Sequence, residues 1–247
     1  IIPFFIDDIT PSGAHSLAIA VTFSGVMQWL WLVHFCRKQN MLPKLQRPRL
    51  TPQVKKLLLL VAPAALGAGV AQINLFVDLI IVSQFASGVS YLYYADRINE
   101  LPLAIIGIAV GTALLPVLSK HVREGNLEAA YRSQNHAIEL ALFLSIPATM
   151  ALIIIAEPII TVMFERGAFG ALETDATYRA LMAFAAGLPA FILVKILAPG
   201  FYAHEDTKTP FKIATFCIFV NLVFNLLLMV PLEHVGMALA TSIASWV

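Results

Sequence analysis

The sequence predicts an all-α, polytopic membrane protein, a bundle of transmembrane helices. Of its 247 residues, 59% are hydrophobic and 13% are charged, where a soluble domain carries about 25% charged residues. The mean hydropathy is +0.82. The apolar runs have the length of roughly 20 residues that crosses a bilayer as a helix, and none shows the in–out alternation of a membrane β-strand. A net charge of +1 gives no basis for nucleic-acid binding. Cys36 and Cys217 lie far apart in apolar segments and form neither a metal spacing nor a disulfide framework.

Six full spans and one partial span follow along the chain: 13–36, 57–84, 91–118, 134–156, 177–200, 211–231 and, cut short, 235–247. Pro63, Gly67 and Gly69 fall inside the second span; Pro102, Gly107 and Gly111 inside the third; Pro147 inside the fourth; Pro189 inside the fifth. Membrane helices tolerate such residues and often bend at them. With no initiator Met, and a last apolar segment that stops soon after it starts, the chain reads as a piece of a longer protein.

Charge sets the orientation. The segment RKQNMLPKLQRPRLTPQVKK, 37–56, holds seven Lys/Arg and no acid. Segment 119–133 adds Lys120, Arg123 and Arg132, and segment 203–212 adds Lys208 and Lys212. The opposite connections hold only Arg166 and Arg179, beside acidic stretches at 6–8, 172–175 and 232–234. The positive-inside rule places 37–56, 119–133 and 203–212 in the cytoplasm.

Against this apolar background stand Asp96, Arg97 and Glu100, inside the third span. Each such charge costs about 2.5–3.5 kcal/mol at a helix centre and less towards an end. Arg97 and Glu100 are spaced i,i+3 and can close a simple structural pair. Asp96 projects roughly 100° away from Arg97, so three charges do not fit one pair. The cluster then faces a watery cavity, where a planar guanidinium suits phosphate. A second set is Asp78 in the second span, Asn221 and Asn225 at i,i+4 in the sixth, and Thr241 in the last. Its oxygens suit a hard cation such as Na+; interhelical hydrogen bonding is the alternative. Lys195 lies about one turn from the cytoplasmic end of its helix, where snorkelling explains it. Residues 164–176 read as a short outer loop, with Glu173 or Thr174 leading into a helix. Trp29, Trp31 and Tyr91 to Tyr94 read as interface anchors.

Three stretches carry a family resemblance: LYYADRINELPLAIIGIAVGTALLPVLSK at 92–120, KILAPGFYAHEDTKTPFKIA at 195–214, and FERGAF at 164–169. They resemble the signatures of the MurJ (MviN) family of lipid II flippases, members of the multidrug/oligosaccharidyl-lipid/polysaccharide (MOP) exporter superfamily, and the similarity covers nearly the whole chain. The resemblance implies two six-helix lobes around a central cavity, with two further C-terminal helices. Residues 1–36 would be an outer loop and the last helix of the first lobe, 37–56 the cytoplasmic inter-lobe linker, and 57–247 the second lobe, truncated in its last helix. Arg97, Asp96 and Glu100 would bind the diphosphate-linked headgroup of lipid II in the bacterial inner membrane. Asp78, Asn221, Asn225 and Thr241 fall where a coupling Na+ or H+ would bind, although Asn225 is neutral where a carboxylate would bind a cation better. Membrane lipids and the absent first lobe are the other implied partners. No enzyme is expected, since no HExxH, Ser/His or Ser/Lys pairing appears. The alternative is another exporter of the superfamily, for lipid-linked polysaccharides or cationic drugs; a drug/cation antiporter would want acids without Arg97.

Overall fold

The structure is a computed structural model that describes residues 13–39, 41, 51–85 and 87–247. The acidic stretch at 6–8 and residues 40 and 42–50 of the basic segment lie outside the described residues. The chain divides into two units, Ile1–Leu50 and Thr51–Val247, and the division falls within the basic 37–56 segment.

In the first unit, α1 spans Gly13–Lys38 and ends on Arg37 and Lys38, cations that suit the negative end of a helix dipole. Its apolar residues, Trp29 and Trp31 among them, are exposed along its length.

The second unit begins with α2, Pro52–Val82, which contains nearly all of the second predicted span. Thr51 Oγ1 accepts from the Val54 N–H at 3.3 Å, and Pro52 opens the first turn, where a missing N–H costs nothing. The third span forms α3, Gly88–Pro102, and α4, Ala109–Arg123, joined through an i→i+5 π-helical stretch at Leu103–Ile108. Pro102 supplies no N–H, and the wider turn follows directly. Gly111 serves a second purpose there. A Cβ on it would collide with the Lys195 carbonyl oxygen, so the glycine lets two helix backbones touch.

Asn126 starts α5, Leu127–Ile154, by accepting the Ala129 N–H at 3.1 Å. This cap sets the helix start seven residues before the predicted span at 134. A short α6, Ala156–Phe164, leads to a tight turn in which Arg166 pairs with Phe169. Then α7 runs over Ala171–Ala203. Its start corrects the predicted loop at 164–176: Glu173 and Thr174 lie inside the first turn. Glu173 Oε2 accepts the Gly170 N–H at 2.9 Å, and Thr174 donates to Glu165 Oε2 at 2.8 Å.

The last element, α8, spans Lys208–Trp246. Asp206 accepts from the Lys208 and Thr209 N–H groups, both at 3.0 Å, and from the Thr209 hydroxyl at 2.6 Å. These bonds hold its carboxyl below its ordinary range. At Glu233 the backbone leaves the helix at φ 49°, two residues after Pro231, so α8 is two limbs. They correspond to the predicted 211–231 and 235–247 spans. At Gly236 a Cβ would strike the Leu228 carbonyl oxygen, which keeps this reversal tight.

The helix α7 is the hub. It packs against α3, α4, α5, α6 and α8, and 61% of its apolar stretch is buried, against 28% for α3–α4 and for α5. Ser242 on the second limb of α8 donates to the Ala183 carbonyl at 2.6 Å, opposite Gly187. Among the described residues, five helical runs are long and apolar enough to cross a membrane; α3–α4 and both limbs of α8 each count as one run.

The connections sort to two ends, as the charge pattern requires for 119–133 and 203–212. A cavity of about 420 Å3 is lined by Val122, Leu127, Gly200, His204 and Asp206, so the α4–α5 and α7–α8 turns share one end. At the other end His234 lies against Tyr91, with ring centres 5.3 Å apart, and its Nε2 lies 3.1 Å from the Ala176 carbonyl oxygen.

Candidate functional site

Two polar regions stand out from the apolar bundle. The first lies on the exposed face of α3. Arg97 Nη1 donates to Glu100 Oε2 at 2.8 Å, with both side chains about half exposed. The pair is the i,i+3 contact that the spacing allows. The Arg97 guanidinium also lies over the Tyr93 ring, 4.8 Å from its centre. Asp96 points to the adjoining, half-buried face, and its carboxylate makes no hydrogen bond or ion pair among the described residues. The helix therefore presents one neutralised, exchangeable pair and one further carboxylate beside it. Two in-plane edges of a guanidinium can engage a carboxylate or a phosphate in the same way, so Glu100 occupies donors that an anionic ligand could take over.

The second region centres on two buried amides, Asn221 and Asn225, and is built from three helical limbs. Asn225 Nδ2 donates to Asp78 Oδ1 at 2.6 Å and to Asn221 Oδ1 at 2.9 Å. Asn221 Nδ2 in turn donates to Thr241 Oγ1 at 3.2 Å, and Thr241 donates to the Met237 carbonyl at 3.0 Å. The i,i+4 spacing of Asn221 and Asn225 turns both amides to one side of α8. The packing of α2 against α8, and the reversal at Glu233, then bring Asp78 and Thr241 to them. All four residues named from the sequence meet in one chain of hydrogen bonds.

Asn225 is fully buried, and its Oδ1 has no hydrogen-bond partner. A buried acceptor left this way costs about 1–3 kcal/mol, and oxygens of carboxylate, amide and hydroxyl type are what a hard cation takes. Among the described residues there is no cluster of three or more His, Cys, Asp and Glu; Asp78 is the single carboxylate of this network.

Two residues acquire surroundings beyond those read from the sequence. Lys195 lines a cavity of about 500 Å3 together with Asn221 and Thr241, walled otherwise mostly by apolar side chains such as Leu103, Phe191 and Phe201. Tyr93, expected to be an interface anchor, lies against Arg97. The signal for Tyr93 was present in its i,i+4 spacing from Arg97; nothing local signalled that Lys195 shares a cavity with Asn221 and Thr241, which come from α8.

The fold has counterparts among known proteins. A solved lipid II flippase MurJ in an inward closed conformation superposes with TM-score 0.69 at 32% identity, covering 81% of this chain and 43% of that one. A MOP superfamily transporter from Pyrococcus furiosus shares the fold at TM-score 0.69 and 15% identity, over 78% of this chain and 42% of that chain. A probable lipid II flippase MurJ of Rickettsia prowazekii (strain Madrid E) is 44% identical over 231 residues, 94% of this chain and 46% of its own length. The chain thus spans about half the length of the relatives it matches. The family model described as lipid II flippase MurJ matches residues 2–247, and the chain belongs to that family.

Proposed function

We propose that this chain forms the second lobe of a lipid II flippase that works by alternating access in the bacterial inner membrane. The observation that carries the reading is the Arg97–Glu100 pair, held at 2.8 Å on an exposed helix face in a chain of this family. A paired arginine in a membrane helix is costly unless it faces water or a polar partner, and a diphosphate is a partner that matches its fork. Arg97 would take one side of the diphosphate, opposite arginines of the other lobe, while the isoprenoid tail stays in lipid. Glu100 would hold the guanidinium until the ligand replaces it. Rocking of two lobes about a fixed site then moves the headgroup across without dragging it through hydrocarbon. The role is transport, with no covalent step for these residues to perform.

The buried network suits a coupling cation. Asp78, Asn221, Asn225 and Thr241 would hold Na+, and Asp78 alone would carry a proton if H+ is the coupling ion. Such an ion supplies the free energy of its own gradient to the cycle. The unpartnered Oδ1 of Asn225 supports this reading over one of hydrogen bonding alone.

The test uses cells depleted of their own flippase and supplied with the protein from its complete reading frame. Lipid II exposed on the outer face is measured for wild type, Arg97→Ala and Arg97→Lys. Exposure at background with Ala, and partial with Lys, is the expected outcome at equal expression. Wild-type exposure with Ala would remove Arg97 from the site.

A further inference from the structure

The surroundings of Arg97 extend beyond Glu100. Tyr93, Arg97 and Glu100 lie at i, i+4 and i+7, which places them in one stripe along α3. The ring of Tyr93 faces the guanidinium at 4.8 Å, and Glu100 holds one of its edges at 2.8 Å. The cation is therefore gripped on two sides by chemically different groups. Glu100 uses N–H donors and must give them up when an anion arrives. An aromatic face uses none, because the attraction is between the positive charge and the ring quadrupole.

Tyr93 is itself braced. Its ring meets that of Tyr94 edge-on at 6.0 Å and 73°. Tyr94 packs on Phe164 at 4.8 Å and edge-on against Phe169 at 5.5 Å. Phe164 and Phe169 flank the tight turn closed by the Arg166–Phe169 pairing. A continuous row of aromatic contacts thus runs from the α6–α7 turn to the Arg97 guanidinium. Edge-on and tilted contacts of this kind suit the ring quadrupoles and restrict the ring.

We propose that Tyr93 is a positioning residue for Arg97, a platform anchored through Tyr94 by Phe164 and Phe169 that keeps the guanidinium plane in place while its edge donors pass from Glu100 to a diphosphate. This rests on the reading of Arg97 as the diphosphate-binding residue. The role is assigned to the ring face, and Tyr93→Phe tests the phenol hydroxyl separately.

The experiment uses the purified protein from its complete reading frame and inorganic pyrophosphate as the probe. Apparent affinity is read from the pyrophosphate-dependent rise in unfolding temperature. Tyr93→Phe is expected to match wild type. Tyr93→Leu is expected to bind about two- to fivefold more weakly, the range for an exposed cation–π contact, with its ligand-free unfolding temperature unchanged because Tyr93 is 55% exposed. Phe169→Leu, which loosens the brace from outside the stripe, is expected to weaken binding by a smaller factor. Wild-type affinity in Tyr93→Leu, with binding lost in Arg97→Ala, overturns the platform and leaves Arg97 as the anion ligand. Equal losses in Tyr93→Phe and Tyr93→Leu also overturn it, by assigning the effect to the hydroxyl. No response to pyrophosphate in wild type, or an undiminished one in Arg97→Ala, overturns both readings together.

Discussion

The charged stripe of α3 and the polar network between α2 and α8 are built in opposite ways. Tyr93, Arg97 and Glu100 belong to one helix, stand half exposed, and interact at spacings of three and four residues. Asp78 and Asn225 are 147 residues apart, and their contact exists only because α2 packs on α8. An exposed pair within a helix contributes about 0.3–0.5 kcal/mol. A buried polar group stripped of its partner costs about 1–3 kcal/mol. The stripe can therefore trade partners at little cost, as a ligand-binding face must. The network resists rearrangement, as a selective ion site or a structural lock must.

The largest effect expected from this contrast is on transport, with stability nearly untouched. The double exchange Arg97→Glu with Glu100→Arg keeps an ion pair on the same face and moves the cation by one turn. Lipid II exposure in flippase-depleted cells should fall at least roughly tenfold, the scale of about 1.4 kcal/mol of misplaced binding, while unfolding in detergent stays as in wild type. Normal exposure with the swapped pair would mean that charge alone, without position, suffices.

Asn225→Leu should act in the reverse sense. It removes the donor that reaches both Asp78 and Asn221, and the unfolding free energy should fall by about 1–3 kcal/mol. An undiminished unfolding temperature would show the network to be dispensable for the fold. Asn225→Asp sharpens the same region by adding the carboxylate that a cation site of this type would favour. Stabilisation by NaCl over choline chloride should increase in this variant and vanish in Asp78→Asn. Equal responses in all three proteins would remove the cation reading.

Glu100→Gln is expected to change stability by less than about 0.5 kcal/mol. A loss comparable to that of Asn225→Leu would erase the distinction between the two regions. The smallest effect belongs to Asp206, outside both. Its carboxyl is held below its ordinary value by the Thr209 hydroxyl and backbone N–H. A carboxylate lowered in the folded state contributes stability above its unfolded value of about 3.9 and loses it as pH falls through the lowered value. The acid-unfolding profile of Asp206→Asn should therefore lie beneath that of wild type at neutral pH, start to approach it as pH falls below about 3.9, and meet it below the lowered folded value. Profiles that coincide at every pH would show that the cap contributes nothing.

Much of this molecule was legible before its structure. The apolar helices and their order follow from apolar length, because a bilayer imposes it on any helix that crosses it. The Arg97–Glu100 pair follows from helical spacing alone. So does the shared face of Asn221 and Asn225. Asp78 and Thr241, grouped with these amides on the chemistry of their oxygens, are hydrogen-bonded to them in the structure. The sequence did not foresee the early starts of α5 and α7, which Asn126 and Glu173 decide through caps worth little on a hydropathy scale. Gly111 shows the same limit. Read along the chain it is a point of bending, and only the approach of Lys195 reveals it as a point of contact.

What the sequence determined by itself is whatever depends on neighbours three or four residues away, or on a solvent that treats every helix alike. The tertiary structure decided the rest: that Asn225 reaches Asp78, that Lys195 shares a cavity with Asn221 and Thr241, and that Phe164 and Phe169 reach Tyr94. Those contacts depend on which helix faces lie together. In a chain where nearly every face is apolar, hydrophobic pattern does not choose between them. Close packing does, through small residues that admit a neighbouring backbone and buried polar groups that accept only a hydrogen-bonding partner.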